Sequence, residues 1–421
     1  MAVDNPAKIA ILGAGPIGLE AALYARFLGY DVDIYERGQA AENVLRWGHV
    51  RMFSPFAMNS STLGLAALQA HDPAYEAPDG GGLLTGREYA ERYLLPLSRT
   101  DLLADHLKLN TSVVSVGHED LLKGELVGDP ERGDYDFRIL SLDAVGNESV
   151  TSAEAVIDTT GVYGNPNWAG QGGAPALGER ESRDEIEYEV PDVLVCERER
   201  YANRSTLLIG SGYSAATTAV ALAKLAEEAS DTKVTWIVRR GGSDSFPIKV
   251  IESDRLTERA ELTAEANRIA AGASSGLAFH QSTSISGVLR TADRNRFVVT
   301  LTGELEGEFE FDNIIANVGY RPNNRIYEEL QVHECYASQG PMKLAAALLG
   351  SSSSDCLDQT SHVPKTLLNP EPNFYILGAK SYGRNSDFLL SIGLEQIRDL
   401  FTIIGDRENL DLYSTAPSLQ E

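Results

Sequence analysis

Cysteine is scarce in this chain: three in 421 residues, Cys196, Cys335 and Cys356, all far apart. They form no C-x-x-C pair and no metal-ligand spacing, which argues against an internal dithiol relay. Three inert thiols is the plainer reading, with a meeting of Cys335 and Cys356 in space left open. Basic residues are also few, 36 Lys and Arg against 61 Asp and Glu, for a formal net charge of −25. Without a basic excess to neutralise phosphates, no nucleic-acid partner is expected. No apolar run is long enough to span a bilayer, and Met1 to Asn5 lead straight into a strand with no room for a signal peptide. No membrane partner and a cytoplasmic location are the expectation. A Ser-His-Asp pattern, an H-E-x-x-H motif and a metal cluster are all missing, so neither a nucleophile nor a metal is expected. The remaining composition, 43% hydrophobic and 23% charged, is that of a globular protein of two or three domains. It sets no oligomeric state.

What the chain does have is two glycine fingerprints. Gly13-Ala14-Gly15-Pro16-Ile17-Gly18 follows the apolar run 8–12, and Gly210-Ser211-Gly212-Tyr213-Ser214-Ala215 follows the run 207–209. Each closes a strand and opens a helix, the context in which backbone N–H groups and a helix N-terminus receive a pyrophosphate. Two of them, about two hundred residues apart, imply two dinucleotides held at once. The usual reason is hydride transfer from NAD(P)H to a flavin.

The residues after each fingerprint divide the cofactors. Glu36 ends the strand 31–35, where a carboxylate binds adenosine ribose hydroxyls, and Arg37 follows it; an unphosphorylated ribose such as that of FAD suits this site. The strand 233–238 ends instead in Arg239 and Arg240, whose guanidinium forks suit the 2′-phosphate of NADPH. A solvated strand end is the alternative for the two arginines. The resulting fold class is α/β, with two Rossmann-like dinucleotide-binding domains and the NADPH domain inserted in the FAD domain. Expected boundaries are 1–190 for the first part of the FAD domain, 191–313 for the NAD(P)H domain, 314–405 for the return to the FAD domain, and 406–421 for a loose polar tail. Short alternating strands near 112–116, 135–142 and 149–150 read as a small β-meander within the first domain. A helix capped by Thr85 and Glu88 is expected, and the stretch from 165 to about 204 reads as a hinge.

The order of FAD fingerprint, Thr159-Thr160-Gly161 turn, NADPH fingerprint, Gly319-Tyr320-Arg321-Pro322 turn and terminal Tyr375-Ile376-Leu377-Gly378 strand resembles the two-dinucleotide-domain flavoproteins. That superfamily includes thioredoxin reductase-like enzymes, flavin-containing monooxygenases and amine N-hydroxylases. The resemblance implies that Gly161, Gly319, Gly378 and Lys380 also line cofactor. Disulfide reductases of this kind carry a cysteine pair and end the last strand in Gly-Asp; here the pair is absent and Gly378 is followed by Ala379-Lys380. The segment 381–391 is similar to that of N-hydroxylase-type monooxygenases, which runs into a helix aimed at the flavin pyrimidine. It makes Tyr382 and Arg384 candidate active-site residues. The Phe-x-Gly-x-x-x-His signature of flavin-containing monooxygenases is not present before the second fingerprint.

The loop 53–59 resembles one that places an asparagine at the flavin edge, so Asn59 is the candidate to hydrogen-bond oxygenated flavin or substrate. An asparagine bonding its own loop is the alternative. Trp47 and His49 are candidates to border the isoalloxazine, with a structural role as the plainer reading of His49. Arg321 stands open between a flavin-facing and a hinge role. The resemblance thus implies an NADPH-dependent monooxygenase that uses O2, through a C4a-hydroperoxyflavin, on an N, S or carbonyl atom of a small-molecule substrate. Two alternatives stay open: a reductase passing electrons to a protein, quinone or external disulfide, and a nucleotide-binding sensor without turnover.

Overall fold

The computed structural model describes residues 6–240, 246–291, 296–350, 357 and 364–415. The chain forms two compact units, residues 1–165 with 321–421 and residues 166–320.

The first unit starts with β1 (Lys8–Leu12), four of whose five residues are buried. A strand covered on both faces reads as a continuous apolar run, and this one does. The helix α1 (Pro16–Phe27) follows, with proline at its start and Gly29 in the left-handed region at φ 89° after its end. Then come β2 (Asp31–Tyr35), the two-residue β3 (Leu107–Lys108), and an antiparallel meander of β4 (Ser112–His118), β5 (Phe137–Leu142) and β6 (Glu148–Ala153). The strand β7 (Ala155–Asp158) is wholly buried.

The second unit holds β8 (Ser205–Ile209), α2 (Tyr213–Glu228), β9 (Lys233–Ile237) and β10 (Leu277–His280). An antiparallel sheet of β11 (Thr283–Thr291), β12 (Arg296–Gly303) and β13 (Gly307–Phe311) follows, and then β14 (Asn313–Ala316). The chain returns to the first unit for β15 (Phe374–Ile376) and α3 (Leu390–Ile404).

The two larger sheets are parallel. The first has the order β15-β7-β1-β2-β3, with β1 central and α1 packed beside it. The second has the order β10-β9-β8-β14. In each, the glycine loop leaves the carboxyl end of a central strand, where ligands of open α/β sheets bind. No helix among the described residues is long and apolar enough to cross a membrane.

The expected boundaries need correction. β14 pairs in register with β8, Ile314 opposite Leu207, so residues 314–320 belong to the second unit rather than to the return of the first. Residues 166–190 belong there too. Glu187 bridges Ile315 beside β14, and the buried Glu179 carboxylate accepts from Ala169, Gly170 and Ala176 N–H and from the Tyr188 hydroxyl at 2.7–3.2 Å. One carboxylate with four donors turns what read as a charged hinge into packed structure. The tail is not wholly loose either: Leu412 N donates to the Tyr24 hydroxyl at 3.0 Å, and the Tyr413 ring lies edge-on to Tyr24 at 5.2 Å.

Candidate dinucleotide sites

The three glycines of the first loop do three different things. Gly13 holds φ +98°, and a Cβ there would come within 3.0 Å of the Thr159 carbonyl. Gly18 packs against the loop so closely that a Cβ would lie 1.9 Å from the Gly13 carbonyl. Around Gly15, between them, a Cβ would meet nothing within 4 Å. The loop is therefore tight at both ends and open in the middle, the shape that admits a ligand phosphate to the backbone. Ile17 and Pro16 form the first turn of α1, which has neither a capping side chain nor an acidic residue in that turn. Its N–H groups and positive dipole end are left for an anion.

Glu36 stands beside this loop. Its Oε2 accepts from Ala14 N at 2.8 Å and its Oε1 from Gly38 N at 3.0 Å. Each carboxylate oxygen keeps a second lone pair, so the group can tie down the loop and still accept ribose hydroxyls. Arg37 is exposed, with its guanidinium over Gly164, where a Cβ would come within 2.8 Å of Nη2. Gly161, at φ +65°, has open space where a Cβ would stand.

The other wall of the first site is the turn after β15 and the start of α3. Gly378 holds φ +70° and leaves 3.2 Å between its absent Cβ and Ile17 Cγ1. Gly393, in the first turn of α3, leaves only 2.3 Å to Ile17 Cδ1. Ile17 is thus keyed between both glycines, which brings the start of α3 against the start of α1. α3 also lacks a capping side chain and a first-turn acid. Two other helices in this unit are capped: Ser61 accepts from Gly64 N, and Thr85 with Glu88 makes a full capping box.

The second loop repeats the pattern with changes. Gly210 holds φ +140°, and a Cβ there would lie 2.3 Å from the Asn317 carbonyl; around Gly212 a Cβ would meet nothing within 4 Å. Tyr213, Ser214 and the buried Ala215 form the first turn of α2, again without a cap or an acid. The Trp236 indole donates to the Gly210 carbonyl at 2.9 Å, and Thr218 Oγ1 donates to Asn317 Oδ1 at 2.8 Å. Asn317 Nδ2 in turn donates to the Glu189 carbonyl at 2.8 Å. Arg239 and Arg240 are exposed just past β9, whose Ile237 pairs with Ile209 at the root of the loop. Gly319, at φ +78°, lies in a turn held by Asn167 Nδ2, which donates to the Val318 and Tyr320 carbonyls.

Four expected residues have other tasks. Asn59 Nδ2 donates to the Ser54 and Pro55 carbonyls, and its Oδ1 accepts from Ser54 Oγ at 2.9 Å. The buried amide folds its own loop rather than facing a ligand. Trp47, half-buried, lays its ring on Gly86, where a Cβ would be 2.4 Å away, and packs against the core. Tyr382 is buried with Phe388, Leu344 and Ile392, and burial pushes its hydroxyl up to about 12. It is a core residue. Lys380 is buried with all three donors engaged, on Asp158 at 2.5 Å, Thr160 Oγ1 at 3.0 Å and the Asn323 carbonyl at 2.9 Å. It clasps the ends of β7 and β15 and has no proton left for a cofactor.

Arg384 is exposed, with Nε on Gln339 Oε1 at 2.7 Å, and His49 is exposed. Arg321 N donates to the Asn165 carbonyl at 3.0 Å. Cys196 is exposed, Cys335 is partly exposed, and Cys356 lies outside the described residues. Sequence reading missed Gln396, Ser381 and Gly393; a glycine inside the helix expected over about 387–404 was the one available signal.

No protein-family model matches the chain. Among curated proteins, kynurenine 3-monooxygenase of Phaeosphaeria nodorum is 30% identical over 138 residues, 28% of this chain and 29% of that protein. The matched stretch thus spans under a third of that relative's length. Solved structures match over nearly the whole chain. The bacillithiol disulfide reductase Bdr of Bacillus cereus superposes with a TM-score of 0.66 at 18% identity, covering 96% of this chain and 99% of that one. The cadaverine monooxygenase DfoA of Erwinia amylovora, solved with FAD, gives 0.63 at 14% identity over 96% of each chain. The ornithine N-hydroxylase KtzI of Kutzneria sp. 744, solved with reduced FAD, NADP+ and L-ornithine, gives 0.62 at 15% identity, covering 95% and 99%. The chain has the fold of the two-dinucleotide-domain flavoproteins.

Proposed function

We propose that the chain is an NADPH-dependent FAD oxidoreductase and, within that class, a monooxygenase that transfers one oxygen atom from O2 to a nitrogen, sulfur or carbonyl group of a small molecule. One observation carries the two-cofactor reading. Gly15, between Gly13 and Gly18, and Gly212, after Gly210, are each open where a Cβ would stand beside glycines with no room for one, at the start of a helix with no cap and no first-turn acid. Open backbone at an uncapped helix N-terminus has a direct use in admitting a pyrophosphate.

In the first unit, the loop 13–18 and the N-terminus of α1 would hold the FAD pyrophosphate, with Glu36 on the adenosine ribose. The Gly378 turn and the start of α3 would border the flavin end. Bound FAD would supply two-electron chemistry, taking hydride from NADPH and reacting, once reduced, with O2. In the second unit, the loop 210–215 and α2 would hold the NADPH pyrophosphate, and Arg239 and Arg240 the 2′-phosphate.

The monooxygenase branch is favoured by three things: cysteines that are few and far apart, Gly378 followed by Ala379 rather than an acid, and neighbours that include a cadaverine monooxygenase and an ornithine N-hydroxylase. The likeness to Bdr favours a second reading, a reductase acting on an external disulfide. Steady-state NADPH oxidation separates them. Consumption that rises with an amine, sulfide or ketone, needs O2 and yields a product 16 mass units heavier (one oxygen atom) supports the monooxygenase. Consumption under argon on addition of a disulfide supports the reductase, and no oxidation with any acceptor refutes both.

A further inference from the structure

Gln396 lies two turns into α3, with 5% of its surface exposed. Its Oε1 accepts from Gly378 N at 2.9 Å, and its Nε2 donates to Ser381 Oγ at 2.9 Å. Ser381 Oγ donates to the Gly378 carbonyl at 2.7 Å, closing a ring of three hydrogen bonds. The ring fixes the turn after β15 to the body of α3. One turn nearer the start of α3, Ile17 fills the space left by Gly393 and touches the space left by Gly378. One amide and one isoleucine therefore set the glycine loop, the Gly378 turn and the start of α3 relative to one another. Neither α1 nor α3 has a capping side chain or a first-turn acid, so two positive helix ends meet at one place.

We infer that Gln396 is a positioning residue for the flavin end of FAD, holding the N-terminus of α3 where negative charge gathers on reduction. The inference rests on the proposed FAD site of the first unit. Hydride transfer from NADPH moves two electrons and one proton, leaving NADP+ and a reduced ring system with one added negative charge. A helix end held against that charge favours the reduced form; a helix end free to drift does so less. Gln396 touches no ligand in this account and acts through the turn and the helix.

The test uses the full-length protein carrying FAD, titrated anaerobically against a reference dye for the midpoint potential, with FAD content and thermal melting followed in parallel. Gln396→Met keeps the volume and removes both hydrogen bonds. It is expected to retain FAD while its ratio of reduced to oxidised flavin at a fixed poise falls about tenfold, which is about 30 mV more negative for a two-electron couple. Ser381→Ala removes the Nε2 acceptor and the bond to the Gly378 carbonyl but leaves Gln396 Oε1 on Gly378 N, and is expected to shift the potential the same way by less. NADPH affinity is expected to stay at the wild-type value in both. Wild-type potentials in both variants would overturn the inference while leaving the FAD site intact. If Gln396→Met does not fold, an unshifted Ser381→Ala overturns it alone. A wild-type protein that takes up no FAD refutes the underlying site reading, and the inference with it.

Discussion

The two glycine loops share a backbone plan and differ in what surrounds them. The first ends in Gly18, pressed to within 1.9 Å of a carbonyl if it carried a Cβ; the second ends in Ala215, which fits. The first is tied by Glu36 through two backbone N–H groups and is walled on its far side by the start of α3. The second is steadied from behind, by Trp236 and the Thr218–Asn317–Glu189 chain, and its strand end carries exposed arginines. A loop gripped by several elements suits a ligand that stays; a loop open at its mouth and marked by exposed charge suits one that exchanges. On the proposed reading, the same fingerprint serves a resident cofactor in one unit and a consumed one in the other.

The largest expected effect breaks the first site from beneath. Lys380→Met leaves Asp158 buried and unpaired between the ends of β7 and β15, and should cost about 3–5 kcal/mol by denaturant unfolding, with FAD lost before NADPH. Next is a pH effect on α1. Glu20 is buried, accepts from Ser61 Oγ and from the Tyr93 hydroxyl, and is pushed by burial from 4.5 to about 7. The unfolded carboxyl ionises first, so the proton binds the folded state more tightly. Stability present below pH 4.5 should therefore drain away as pH rises to 7, by on the order of 3 kcal/mol. Thermal melts of Glu20→Gln should show no such slope between those limits.

Exchanging the loop ends sharpens the comparison directly. Gly18→Ala should destabilise by about 1–3 kcal/mol and lose FAD, whereas Ala215→Gly should cost only about 1 kcal/mol and keep NADPH. The smallest effect concerns the arginines: replacing Arg239 and Arg240 by Ala should weaken NADPH about tenfold, about 1.4 kcal/mol, and leave NADH unchanged. Equal losses for both coenzymes in isothermal titration would assign the pair to the solvated strand end.

Much of this difference was legible in the chain because backbone-driven features are local. The fingerprints, the buried strands beside them and the Thr85–Glu88 cap were all readable from neighbouring residues. What was not readable depended on partners distant in sequence. Asn59 looked like a ligand contact until the fold closed it on Ser54 and Pro55, and Lys380 looked like one until Asp158, some two hundred residues earlier, was brought beside it. The second unit's edge was misplaced because the apolar run at β14 shows only that it is buried, not that its partner is β8.

The most direct test of the whole account is binding of FAD and NADPH, by titration, to Gly15→Ala and Gly212→Ala. Each methyl enters empty space and should leave the melting temperature at the wild-type value. The account predicts that Gly15→Ala loses FAD and keeps NADPH, and that Gly212→Ala does the reverse. Variants that melt normally and bind both ligands as the wild type does would contradict it.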